Sequence, residues 1–215
     1  IRSCLVGSEM CIRDRSITAF DSTLIESLNL RNQEDLQNYI PATTIQPYDI
    51  SIRGIGRMFR ALGGDPGVGT YVDGAYSVDF GIASTDNGLY DVERIEILRG
   101  PQGTLYGRNS IGGAVNFITT KPSQDFAAEI RTLVGSYGMA EGYGFINGGL
   151  TDNISARLIV VNRSRDGVIK DLGAGEDLDS YEDENYTLAL RWENENHTFD
   201  TVSYTHLRAH ETRTT

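Results

Sequence analysis

No apolar run in this chain could cross a membrane as a helix. About 18 consecutive apolar residues are needed, and the longest good candidate, Leu158–Val161, has four. That excludes a helical membrane protein but leaves open a β-barrel, whose strands alternate and never read as continuously apolar. Positive charge is in deficit, with 19 Lys and Arg against 30 Asp and Glu and a net charge of −11. A nucleic-acid backbone is therefore not an expected partner. The start of the chain shows no basic region followed by an apolar core of the secretory-signal kind. Histidine is scarce, at three, and cysteine scarcer, at two. Glycine (24) and tyrosine (11) are abundant, and 215 residues give room for one large domain or two small ones.

Both cysteines fall in "CLVGSEMCIRD", Cys4–Asp14, which has no hydrophobic period. One choice of codons for those eleven residues has a reverse complement that translates, in frame, as "VSYTHLRAHET", Val202–Thr212. An inverted DNA repeat at both ends of a reading frame has no protein-chemical cause. It reads as translated sequencing-library adapter, to be set apart from fold reasoning. Residues 1–14 and 202–215 are thus expected to be artefactual tails, which leaves a core with no thiol chemistry and one histidine, His197. The core then reads as a fragment of a longer gene product.

The core divides near Pro122. Before it, short elements are punctuated by glycine. "NQEDLQNYIP" predicts a short helix that stops before Pro41, with acidic residues in its first turn. "ISIRGIG", "TYVDG", "RIEILRG" and "AVNFITT" predict short strands. The expectation is a compact α+β domain over residues 15–122.

After Pro122 the strands lengthen and alternate. In "ISARLIVVNRSR", Ile154, Ala156, Leu158 and Val160 fall on one face; Ser155, Arg157, Arg163 and Arg165 fall on the other, and Ile159 and Val161 break the polarity. "YTLALRWE", "AAEIRTLV" and "EGYGFING" follow the same period of two. "TDN" (151–153) and "ENEN" (193–196) predict tight turns, and Asp166–Asn185 a long acidic loop. Short turns at one end and long loops at the other fit an outer-membrane barrel. They also fit a soluble antiparallel sheet whose apolar face packs on a core. The strand pattern alone leaves both open.

"DVERIEILRGPQGTLYGRNSIGGAVNFITTKP" (Asp91–Pro122), with "IRGIG" (Ile52–Gly56) and "GVGTYVDGAY" (Gly67–Tyr76), resembles the plug domain of TonB-dependent outer-membrane receptors in motif order and spacing. The resemblance implies an α+β plug domain followed, over residues 123–201, by the first antiparallel strands of a transmembrane β-barrel, truncated here. In that family the plug sits inside a barrel of about 22 strands. The family imports ferric siderophores, vitamin B12 or sugars, drawing on TonB. The implied location is the outer membrane of a Gram-negative bacterium and the implied ligand a ferric siderophore. The implied function is gating of the lumen rather than catalysis, with no cofactor and no resident metal. The family's TonB-coupling box and signal sequence are expected upstream, and most ligand-binding loops downstream.

The resemblance also implies site residues. Arg53 and Arg99 stand at the two positions where the family's arginines pair with glutamates of distant barrel strands and lock the plug in place. A guanidinium suits this, because it stays ionised and forks onto carboxylates. Gly54, Gly56, Gly74, Gly100, Gly103, Gly107, Gly112 and Gly113 are the motif glycines, expected where turns are tight or backbones approach closely. The stretch Arg57–Val68 is expected near the plug apex that faces ligand.

Other motifs carry less. "GDPGVGT" spaces its glycines like a phosphate loop but has Thr70 where lysine is required and no apolar strand before it. "EDLDSYEDEN" (176–185) lacks the EF-hand glycine and ligand spacing, so a solvated acidic loop is expected. His197 has no metal-spaced partner, and no nucleophile–base constellation stands out. The alternatives are a receptor of the same family for carbohydrate or cobalamin, and a soluble periplasmic binding module built on the plug alone.

Overall fold

A computed structural model describes residues 16–46, 49–57, 65–77, 89–169 and 180–208. The first tail, most of the expected apex stretch and residues 170–179 of the acidic loop lie outside the described residues. The chain forms two compact units, divided between Thr120 and Lys121.

Unit 1 opens with β1 (Ser16–Asp21) and α1 (Ser22–Ser27). Asp21 caps α1, its carboxylate accepting from the Leu24 N–H at 2.7 Å. The helix expected before Pro41 forms as a 3-10 turn, Gln33–Asn38. Asp35 ends its first turn and accepts from the backbone N–H groups of Arg31 (3.0 Å) and Asn32 (3.1 Å), two donors left over at a helix start. The strands that follow are β2 (Thr43–Gln46), β3 (Asp49–Ile52), β4 (Val68–Val72), β5 (Ala75–Tyr76), β6 (Val92–Arg99) and β7 (Gly113–Thr119), with α2 (Gly103–Tyr106) between the last two. β2 and β3 make a hairpin; the rest form a mixed sheet in the order β1-β6-β7-β4-β5, with β4 and β7 parallel. Leu36, Ile52, Ile95 and Ile97 are fully buried in one core with Phe20, Val68 and Phe117. Its alternation is visible in β6, where Ile95 and Ile97 point inward and Arg94 and Glu96 pair on the other face.

Unit 2 is an antiparallel meander of β8 (Ala127–Val134), β9 (Ala140–Thr151), β10 (Ile154–Arg165), β11 (Tyr181–Asn194) and β12 (His197–Arg208). The turns at 152–153 and 195–196 are tight, as expected. The acidic loop is shorter than expected. Tyr181–Asn185 belong to β11, where Asp183 and Asn185 are buried and paired in register with Arg163 and Val161. β12 also runs seven residues past Thr201, into the expected tail. Thr198–Thr201 are already zipped onto β11, and the next residues inherit its ladder whatever their origin.

The two faces of this sheet are inverted relative to a soluble protein. Ile130, Ile146, Leu158, Val160, Leu188, Trp192 and Phe199 are exposed, whereas Asn147, Ser155, Arg157, Asp183 and Asn185 are buried. Ile159 and Val161, which break the polarity of the sequence, lie on the buried face with Arg157. That face is lined by charge–aromatic contacts: the Arg157 guanidinium lies 3.8 Å from the centre of the Phe145 ring, and Arg165 is 4.9 Å from that of Tyr181. An apolar face left in the open is the pattern of a strand set whose outer surround is lipid.

Candidate functional site

The two arginines expected to form the lock sit on unlike pieces of backbone. Arg53 and Gly54 form a two-residue turn after β3, closed by Ile52 N–H to Ile55 O and Ile55 N–H to Ile52 O, both 3.0 Å. Their φ values are +54° and +78°. Two left-handed residues in succession are what a primed hairpin turn requires, and glycine or asparagine is the ordinary choice. An arginine there holds a conformation unfavourable by about 1 kcal/mol, so the turn places Arg53 in an uncommon way. Its N–H donates to Ala42 O at 2.7 Å, and the residue is exposed.

Arg99 ends β6, in register with Ser16 on one side and Gly113 on the other. Its Nε is buried and has no hydrogen-bond partner among the described residues. No ion pair joins Arg53 or Arg99 to a carboxylate among the described residues.

Glycines connect the backbone of these two positions. Gly100 N–H donates to Gly112 O at 2.9 Å, and Gly112 N–H to Gly67 O at 2.8 Å. A Cβ on Gly112 would stand 2.9 Å from Cβ and Cγ2 of Ile55, and one on Gly67 would meet Gly56 O at 2.8 Å. A Cβ on Gly56 would meet Ser51 Cβ at 2.8 Å. At Gly113 it would run into the Leu98 carbonyl and the Ile52 side chain. Ile52 and Ile55 flank Arg53, and Leu98 precedes Arg99. Thus the Arg53 turn and the end of β6 are held at one closely packed joint.

The remaining motif glycines act otherwise. Gly54, Gly74, Gly100 and Gly107 have open space where a Cβ would go, but φ between +74° and +103°. Gly103 has neither constraint.

Between Gly100 and Gly112 the chain makes a closed loop. Gln102 N–H donates to Ser110 O at 2.8 Å, and Ser110 Oγ to Gly107 O at 2.7 Å. The loop rests on tyrosines: Tyr71 OH donates to Tyr106 O at 2.7 Å, and Asn109 Nδ2 donates to Tyr76 OH at 2.8 Å. The Tyr71 ring lies 4.7 Å from that of Tyr106 and 5.5 Å from that of Tyr76. Burial, then the neighbouring Tyr76 and Tyr106 phenols, pushes the Tyr71 phenol above its ordinary value. Sequence reasoning did not single out these tyrosines, and the signal available was that all three fall inside the quoted motif blocks.

A second clasp joins the Asp73–Gly74 turn to β7. Asp73 N–H donates to Phe117 O (2.8 Å), and its carboxylate accepts from Thr119 N–H (3.0 Å) and Thr119 Oγ1 (2.7 Å). No group of three or more His, Cys, Asp or Glu that could hold a metal ion occurs among the described residues. The arrangement is one of fixed backbone, with Arg53 on an exposed turn and the Arg99 Nε buried at a strand end.

The family model described as "TonB-dependent Receptor Plug Domain" matches residues 13–114. The chain is similar to the iron-regulated outer membrane virulence protein of Vibrio cholerae, 29% identical over 171 residues, covering 70% of this chain and 25% of that protein. It is also similar to a catecholate siderophore receptor of Escherichia coli, 31% identical over 99 residues, covering 46% of this chain and 12% of that protein. Among solved structures, the ferric yersiniabactin uptake receptor of Yersinia pestis aligns with a TM-score of 0.77 at 23% identity, over 89% of this chain and 31% of that one. That last likeness is one of fold. The chain spans a quarter or less of the curated relatives named here.

Proposed function

Since this chain carries the plug domain of the TonB-dependent receptors, we propose that it is part of an outer-membrane receptor that binds a ferric siderophore and gates its entry. The observation that carries the reading is the pairing of a matched plug with a strand set whose apolar face is exposed and whose polar face is buried. A sheet of that kind is stable when lipid covers its outer face. In this reading TonB would supply the energy through a segment upstream. The relatives support the ligand class: they are named as an iron-regulated outer membrane protein, a catecholate siderophore receptor and a ferric yersiniabactin uptake receptor.

Within this reading Arg53 and Arg99 form the lock between plug and barrel wall, their carboxylate partners lying on strands beyond residue 201. The buried, unsatisfied Nε of Arg99 supports this, because a buried donor without a partner is costly. So does the strained placement of Arg53, since such strain concentrates at functional positions. The motif glycines then serve to hold both arginines at one joint.

The test is uptake of iron-55 by a Gram-negative host that expresses the full-length receptor and lacks its own siderophore receptors. Accumulation with a ferric siderophore, abolished when TonB is deleted, is the expected result. Cobalamin or sugar uptake instead would shift the ligand class, and a water-soluble product would end the reading.

A further inference from the structure

The segment that leaves β7 and enters β8 is fastened on each side of a two-residue span, and the two fastenings differ in kind. On the β7 side the Asp73 carboxylate holds Thr119 by its N–H and its hydroxyl, at 3.0 and 2.7 Å. Thr120 N–H then donates to Asp91 O at 3.1 Å. On the β8 side Asn147 acts as a hub. Its Oδ1 accepts from Ser123 N–H at 3.1 Å, and its Nδ2 donates to Ser123 Oγ at 2.9 Å and to Asp125 O at 2.7 Å. Gly149 N–H adds a bond to Gln124 O at 3.2 Å. Between Thr120 and Ser123 stand only Lys121 and Pro122. Proline has no N–H, fixes its own φ and holds the preceding residue in extended conformations.

From this we propose that Lys121–Pro122 is a short, stiff joint between two clasps, and that it gives way on the Asp73 side before the Asn147 side. The physical reason is access of water. Asp73 and Thr119 meet in the open, where water replaces a broken bond at little cost. Asn147 is 3% exposed, and loosening it would leave a buried amide and buried backbone groups without partners. Local openings therefore begin where hydrogen bonds are exposed. A disturbance that reaches the joint frays the end of β7 and leaves the first strand of the second sheet seated on β9. Asn147 is a positioning residue in this scheme, and the scheme does not depend on which ligand the receptor takes.

Residue-resolved amide hydrogen exchange on the full-length receptor in detergent tests it. In the unaltered protein Thr119 N–H is expected to exchange about tenfold or more faster than Ser123 N–H. Asp73→Ala should speed exchange at Thr119 and leave Ser123 unchanged, and Asn147→Ala should do the reverse. Asn147→Asp keeps an oxygen acceptor for Ser123 N–H and should protect it better than Asn147→Ala does. If Asn147→Ala does not fold, the unaltered protein and Asp73→Ala still decide. Ser123 exchanging as fast as Thr119, or Asp73→Ala accelerating both sites alike, overturns the proposal.

Discussion

Gly112 and Ile55 lie so close that a Cβ on residue 112 would stand 2.9 Å from both Cβ and Cγ2 of the isoleucine and 3.1 Å from its carbonyl oxygen. Gly112→Ala must therefore displace the turn that carries Arg53, and is expected to destabilise unit 1 by about 1–3 kcal/mol. Gly113→Ala should be worse, since its obstacle is the Leu98 carbonyl inside a paired strand, which cannot swing aside. Gly103→Ala meets nothing within 4 Å and should stay within about 0.5 kcal/mol of the parent. Urea unfolding of the three variants, followed by circular dichroism, reads the order directly. Equal losses at 103 and 112 would refute the close-packing account.

Arg53 offers a test of strain kept for function. Asn is at ease at a φ of +54°, so Arg53→Asn is expected to stabilise the chain by about 1 kcal/mol. The same variant removes the guanidinium from the proposed lock. Higher thermal stability of the isolated chain is the expected result and, on the proposed function, impaired iron uptake by the full-length protein accompanies it.

Tyr71→Phe removes the donor to Tyr106 O and leaves that carbonyl short of a partner, for an expected loss of about 1 kcal/mol at neutral pH. The phenol's folded value lies above its unfolded value of about 10. The sign follows: its contribution is fully present below pH ~10 and is lost as pH rises through the higher folded value. The difference between parent and variant should thus shrink above pH ~10. Denaturant midpoints measured from pH 8 to 11 check this, and a gap that widened with pH would contradict it.

Leu158 and Arg157 are neighbours on opposite faces, one exposed and the other buried. In a membrane barrel, Leu158→Arg puts a charge into lipid, at about 2–4 kcal/mol near the bilayer midplane. Assembly of the full-length receptor in the outer membrane should fall, as read by heat-modifiable gel mobility. A soluble sheet would tolerate the same change at an exposed position.

Much of the fold was legible because the signals are local. β10 occupies Ile154–Arg165, the stretch whose alternation predicts it, and the turns at 152–153 and 195–196 need only their Asp, Asn and Glu residues to be read. The start of β11 was not legible. Asp183 and Asn185 look like loop residues, and only the facing Arg163 and Val161 make a strand of them. Tyr71, Asp73 and Asn147 were missed for the same reason. Each draws its role from a partner far along the chain: Tyr106, Thr119 and Ser123.

What the sequence by itself determined is the period of the strands, the positions of the turns, and the motif that marks the plug. Those depend on side-chain alternation and on residues close together in the chain. Only the tertiary structure decided which face of the second sheet is open, which glycines are indispensable, and what holds the joint at Lys121–Pro122. Those depend on which backbones are brought together, and a pattern of period two reads the same whether its apolar side meets a core or a lipid bilayer.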